Sequence, residues 1–214
     1  MLSDIFEESS DKLLQYLQTN PIKLDSRFIK QPRFVAEAVE TIIDINFHNI
    51  FGQLGEQISE EKGAKSTGDF QFIGSDNVTY KVDIKTCNID KKWNMGNIIS
   101  TRKLLTGGDM DYTNDNHAFA ILAILYSPRQ DTIEVHDTIF TLLEWISWND
   151  IHIQPGLGNG QLQFKSNALK QSFAWNPEAS RSDWMRELGV QGTEACHKKI
   201  ANQLKMKALY ESVI

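Results

Sequence analysis

Cysteine is nearly absent from this chain. Cys87 and Cys196 stand far apart, belong to no C-x-x-C pair and have no clustered histidine, so neither a zinc site nor a disulfide framework is indicated. Both read as reduced thiols, Cys87 as a packing residue on a strand. Long apolar runs are missing too, none approaching the ~20 residues that span a bilayer. Met1 to Asn20 is acidic and amphipathic, without the basic start and apolar middle of a signal peptide. The expectation is a cytoplasmic protein with no membrane partner. The glycine-rich stretch from Pro155 to Gly160 fits neither G-x-x-x-x-G-K-[ST] nor G-x-G-x-x-G, so no nucleotide cofactor is expected. No repeat or low-complexity tract occurs. An excess of positive charge is also lacking: a net charge of −6 argues against a passive nucleic-acid coat, whose affinity rests on neutralising many phosphates.

What is present suffices for one sizeable core, with 41% hydrophobic residues in a chain of 214. The organisation expected is a single α/β domain, with a helical part over 1–60, a sheet over about 66–164 and C-terminal helices over about 180–214. Apolar spacing predicts helices over Met1 to Thr19 and Phe34 to Ile58. Ala118 to Tyr126 is continuously apolar and reads as a central strand covered on both faces. Asp131 to His136 reads as a strand, Thr138 to Trp148 as a short apolar helix, and Asn149 to Phe164 as a hairpin. Asn97 to Leu105 opens as a helix. Near the end, Ser180 or Ser182 caps a helix that Gly189 stops. A second helix over Thr193 to Val213 turns Cys196, Ile200, Leu204 and Leu209 inward.

Chemistry concentrates between Ser66 and Lys103. Val78, Tyr80, Val82 and Ile84 alternate with Lys81, Asp83 and Lys85, which reads as a strand with one apolar and one charged face. Phe70 and Phe72 alternate with Asp69 and Gln71, and Gly74 to Asn77 is turn material. Antiparallel pairing across that turn places Asp69 and Asp83 on the same side near one end, with Lys85 one pleat along. Two carboxylates and a backbone carbonyl suffice for Mg²⁺, which keeps several of its waters. A lysine beside such an ion can orient or deprotonate a water. From Lys81 to Lys103 six basic residues (Lys81, Lys85, Lys91, Lys92, Arg102, Lys103) face two acidic ones, Asp83 and Asp90. Charge is thus segregated, as in a cleft that attracts phosphates on an otherwise acidic body. For Asn94 and Asn97, base-edge reading and turn or cap chemistry are both open.

Asp69, a spacer and Asp83-Ile84-Lys85 resemble the PD-(D/E)xK nuclease signature, with Gly68 where that signature commonly has proline. The run from Val82 through Asn97-Ile98-Ile99-Ser100 to Lys103-Leu104 resembles the HincII-type restriction endonucleases, relatives of the EcoRV type. A fainter likeness recurs over Thr138 to Phe164 and at Ser182-Asp183-Trp184. The resemblance implies a restriction-endonuclease-like mixed β-sheet flanked by helices. It also implies a Mg²⁺-dependent type II site-specific deoxyribonuclease, cutting both strands of double-stranded DNA at a short palindrome to leave 5′-phosphate ends, and acting as a homodimer. Asp69, Asp83 and Lys85 become the catalytic set, with Asp69, Asp83, the carbonyl of Ile84 and Glu40 on a preceding helix as metal ligands. DNA contacts fall to Lys91, Lys92, Asn94, Asn97, Arg102, Lys103, Asn159 and Gln161. The alternatives are a nuclease of DNA repair or recombination with the same triad, and a catalytically silent DNA-binding module.

Overall fold

A computed structural model describes residues 1–58, 68–91, 96–106, 112, 114–154, 160–165, 167–171 and 175–211. In chain order its elements are α1 (Leu2–Thr19), α2 (Pro32–Phe51), β1 (Gly55–Gln57), β2 (Phe70–Gly74), β3 (Thr79–Asn88), β4 (Asn97–Ser100), α3 (Thr101–Thr106), β5 (His117–Pro128), β6 (Ile133–Leu142), β7 (Ile151–Gln154), β8 (Gln161–Phe164) and α4 (Arg181–Glu211). A five-stranded mixed sheet runs in the order β1-β2-β3-β5-β6, and a three-stranded sheet in the order β4-β8-β7.

β5 is the reference strand. Ala118 to Tyr126 is buried at every position. Burying each large apolar side chain contributes about 1.5–3 kcal/mol, so Phe119, Ile121, Leu122, Ile124 and Leu125 together supply on the order of 10 kcal/mol. Its even positions face α1 and α2, where Phe6, Leu13, Val35, Val39, Ile43 and Phe47 close one core. Its odd positions face the small sheet and Trp184 and Leu188 of α4, which close the other. β3 pairs parallel to β5 from Thr79 opposite His117 to Asn88 opposite Tyr126, so Asp83 lies opposite Ile121 and Lys85 opposite Ala123. That pairing ties the charged residues of β3 to a strand buried along nine consecutive residues. On the far edge, Ser10 donates to the carbonyl of Thr138 at 2.7 Å and the Thr138 hydroxyl to the carbonyl of Ser10 at 2.8 Å. This reciprocal pair seats α1 on β6 with both buried hydroxyls satisfied.

Four readings from periodicity need correction. The second helix ends at Phe51, and Gly52 and Gly55 break it; Leu54 is buried outside the helix, and Ile58 donates to the carbonyl of Gln71 at 3.0 Å. Asn97 to Ser100 is a strand, because pairing with β8 recruits the β-branched Ile98 and Ile99; the helix begins only at Thr101. Thr138 to Leu142 continues β6, leaving a single 3-10 turn at Leu143–Trp145, since Thr138, Ile139 and Thr141 suit a pleated surface better than a helix. The C-terminal helices are one helix of 31 residues. Ser180 caps it, accepting from the Asp183 N–H at 3.3 Å. Gly189 costs it about 1 kcal/mol, too little to stop a long run. Cys196, Ile200, Leu204 and Leu209 point outward, and beyond Leu188 only Ala195 is buried.

Candidate active site

The site is built where β3 outruns its neighbour. β2 joins the ladder with Phe70 opposite Val82, so from Asp83 onward β3 has β5 on one side and no ladder with β2 on the other. The turn that returns the chain is held by Asp76, which accepts from the Val78 N–H at 3.0 Å and the Tyr80 hydroxyl at 2.7 Å. Asp69 precedes β2 and is fastened to β3 twice. Its N–H donates to the carbonyl of Val82 at 2.7 Å, and its Oδ2 accepts from the Ile84 N–H at 2.6 Å. Gly68 makes this approach feasible: its φ is +117°, and a Cβ there would lie 3.0 Å from the carbonyl oxygen of Val82. Proline, whose φ is locked near −65°, cannot take this position, which accounts for the departure from the resembled signature.

Strand alternation puts Asp83 and Lys85 on one face, with Val82 and Ile84 buried on the other. Asp83 Oδ2 and Lys85 Nζ form an ion pair, the side chains only 15% and 19% exposed. The contact lies outside hydrogen-bond angles, and no other described residue donates to that buried oxygen. Burial pushes the Asp83 carboxyl up to about 7; the negative charge of Asp69 adds to the rise, while Lys85 and Lys103 oppose it. Desolvation therefore outweighs the lysine, leaving a carboxyl balanced near neutrality.

A cavity of about 240 Å³ adjoins this edge, lined by Ile84, Lys85 and Thr86, by Pro32, Arg33 and Ala36 at the start of α2, and by Gly96 and Asn97. The Thr86 hydroxyl donates to the carbonyl of Pro32 at 2.7 Å, which pins the helix start to the strand. Glu40 is half-buried one turn beyond Ala36 on the same helix face. Of the other acids on α2, Glu37 pairs with Arg33 on the surface and Asp44 accepts from Gln57. Of the three acids, Glu40 alone stands one turn from the lining residue Ala36, and it is not itself part of the cavity lining.

The proposed DNA contacts divide. Asn97 is exposed on the cavity wall and accepts from Gln163 Nε2. Arg102 and Lys103 are exposed on α3, Lys103 near enough for its charge to act on Asp83. Gln161 lies on β8 opposite Ser100 and Gln154. Lys91 is in the turn after β3, its Nζ on the carbonyl of Lys30 at 2.7 Å. Lys92, Asn94 and Asn159 lie outside the described residues. Sequence reasoning missed three contributors: Arg33 at the cavity mouth, Gln163 behind Asn97, and Lys170, which donates to the carbonyls of Ile89 at 2.7 Å and of Lys91. The alternation Gln161-Leu162-Gln163-Phe164 signals the second. Nothing local signals the third, which depends on contacts 79 and 81 residues away in sequence.

Among the described residues no three His, Cys, Asp or Glu side chains come together as a metal cluster, and no helix is long and apolar enough to cross a membrane. The donor set at the open edge is two carboxylates with neighbouring backbone oxygen, hard ligands of the kind that suit Mg²⁺. No curated protein matches the chain. The family described as restriction endonuclease HincII matches residues 53–210, a span that takes in β1 through nearly all of α4 and the whole Asp69, Asp83 and Lys85 constellation. The chain belongs to the HincII restriction endonuclease family, and is by that membership a type II restriction nuclease that acts on DNA.

Proposed function

We propose that this protein is a Mg²⁺-dependent, site-specific deoxyribonuclease in which Asp69, Asp83 and Lys85 carry out phosphodiester hydrolysis. The observation that carries the reading is the buried Asp83 carboxyl, raised towards neutrality and ion-paired with Lys85, at a strand edge where Asp69 is fastened to the same backbone. An enclosed carboxylate of this kind is costly to maintain, and a cation offsets that cost.

Asp69 and Asp83 would hold the ion with the carbonyl of Ile84. The N–H and C=O of one strand residue face the same neighbour; the Ile84 N–H is turned to Asp69, so its carbonyl leaves β3 on that side as well. Glu40, one turn beyond Ala36 on α2, would serve the ion as a further ligand. When bound, Mg²⁺ supplies charge against the phosphoryl oxygens and makes a coordinated water more acidic. Lys85 Nζ orients the attacking water and stabilises it as it gives up its proton. The water oxygen bonds to phosphorus as the P–O3′ bond breaks; the proton that the water gives up passes to bulk solvent, and the departing O3′ takes one from solvent water in return. The products carry a 3′-hydroxyl and a 5′-phosphate.

Asn97, Arg102, Lys103, Lys91 and Gln161 would meet double-stranded DNA, and Lys92, Asn94 and Asn159, outside the described residues, are assigned the same role by their chemistry. The lysines and arginine suit phosphates and the amides suit base edges. One such site per chain and two strands to cut call for a two-fold homodimer over a short palindrome.

The test is digestion of plasmid DNA of known sequence with the purified protein, in Mg²⁺ or in EDTA, followed by sequencing of the fragment ends. Discrete fragments with 5′-phosphates, formed only with Mg²⁺ and lost in Lys85→Ala, are expected. Unbroken plasmid, ragged ends or an active Lys85→Ala would overturn the reading.

A further inference from the structure

The small sheet carries two rows of polar side chains, of which the reading above uses only Asn97 and Gln161. Along β8, Leu162 and Phe164 enter the core, while Gln161 and Gln163 alternate to the other face. Pairing aligns Asn97 of β4, Gln163 of β8 and His152 of β7 in one row across the sheet, with Ser100, Gln161 and Gln154 in the next. These six side chains include no lysine, arginine or carboxylate. A face that offers donors and acceptors without net charge suits base edges better than phosphates.

Within the row, Asn97 and Gln163 differ in kind. Asn97 is exposed and lines the cavity that Lys85 also lines; a bulge between Asn97 and Ile99 sets it apart from the regular ladder, a device that re-aims a side chain beside a site. Gln163 is only 7% exposed, too enclosed to touch a base. Its Nε2 donates to Asn97 Oδ1, and its own Oε1 is buried with no partner among the described residues. A glutamine enclosed with its oxygen unpaired costs stability, and leucine would fill a similar volume without that cost.

We propose that Gln163 is a positioning residue for sequence recognition: it fixes the Asn97 amide so that Asn97 meets DNA as a donor. With Oδ1 engaged from behind, rotation of the amide is denied and the Nδ2 hydrogens face outward. The base edge they match presents an acceptor, as guanine N7 and O6 or adenine N7 do. This rests on the nuclease reading above and adds to it a residue that never reaches the DNA.

The test is cleavage of a library of duplexes with randomised sequence, with the cut ends sequenced to give the base preference at each position. The wild type is expected to return a fixed site, and Asn97→Ala to relax one position of each half-site. Gln163→Leu is expected to relax that same position at least tenfold, and the double variant to go no further than Asn97→Ala alone. Gln163→Glu keeps the shape but can only accept, so it turns Nδ2 of Asn97 inward and shifts the preference towards a base that presents a donor. A merely structural role would lower cleavage of all sequences together and leave the preferences unchanged. Should Gln163→Leu fail to fold, the isosteric Gln163→Glu carries the same comparison. Preferences identical to the wild type in the Gln163 variants, or relaxation at a position that Asn97→Ala leaves intact, would overturn the proposal. If the wild type cuts without any fixed position, the site-specific reading falls first, and this proposal with it.

Discussion

Replacing Asp83 by asparagine should stabilise the metal-free protein while abolishing its activity. In the folded chain the Asp83 carboxyl is held at about 7, against an ordinary value of 3.8. The folded state therefore binds the proton more tightly than the unfolded state does. By linkage, stability is unaffected below about pH 4, falls as pH rises between about 4 and about 7, and stays at the lower level above. The gap corresponds to about 4 kcal/mol at full ionisation, an upper bound because the side chain keeps 15% exposure. The substituted amide carries no charge to desolvate but leaves Lys85, 19% exposed, without its counter-ion, which returns part of the gain. The net expectation is about 2 kcal/mol of stabilisation at pH 8 and almost none at pH 4, or about 5 °C in Tm for a chain of this size. Urea denaturation in EDTA at both pH values measures it, with an unchanged m-value showing that the compared states are the same. Mg²⁺ should raise the Tm of the wild type more than that of Asp83→Asn. If the variant is less stable than the wild type at pH 8, or if the difference is the same at both pH values, burial does not dominate this carboxyl and the reasoning fails.

Three further outcomes follow from the packing. Gly68→Ala should lose about 1–3 kcal/mol from the strained φ alone and displace Asp69 from Ile84, so cleavage should fall further than the change in Tm explains; equal activity would show that the Asp69 contact is dispensable. Thr138→Val removes the donor to the Ser10 carbonyl and should cost about 1 kcal/mol in urea unfolding, with cleavage rates intact because α1 and β6 lie across the sheet from the site. Leu204→Lys, at a position 60% exposed, should change unfolding of the lone chain by no more than about 0.5 kcal/mol; a larger loss that grows with protein concentration would show that a second copy covers this face of α4.

The two-residue period at Val78 to Lys85 was readable because one face of the strand is apolar and the other charged; Asp83 and Lys85 pair on the charged face, and Asp69 accepts from the backbone of Ile84 between them. β5 was equally plain, since a run of nine apolar residues is short for a buried helix and suits a strand covered on both sides. The failures share a physical cause. Ile98 and Ile99 belong to a strand only because β8, some 60 residues later, offers a ladder. Thr138 to Leu142 looks helical in isolation and is extended because β5 pairs with it over its whole length. The outward turn of Ile200, Leu204 and Leu209 was illegible for the opposite reason: their spacing satisfies a helix face, yet all three side chains are more than half exposed. Glu40 and Asn97 sit between these cases. Their elements could be named or nearly named, but Asn97 meets Lys85 on the cavity wall, and Glu40 follows Ala36 by one helical turn, only once α2 is docked on β3 through Thr86 and Pro32.

A charged triad at a sheet edge poses a problem that the topology resolves. Had β2 extended past Phe70, its backbone would have occupied the side of β3 from which Ile84 reaches Asp69, and the carboxylates would have been closed over by a neighbouring strand. Had β3 lacked its parallel ladder with β5, a free edge bearing Asp83 and Lys85 would have been loose, and the spacing of the two side chains would have varied with each fluctuation. Starting β2 one residue after Asp69, behind a glycine at φ +117°, satisfies both needs at once. The rigid side of β3 is secured by the ten residue pairs of its ladder with β5, and the open side is left to a single carboxylate that both caps the Ile84 N–H and faces the site. The stability surrendered at Asp83 is thus localised at one side chain, and the ladder behind it keeps that local cost from spreading into the fold.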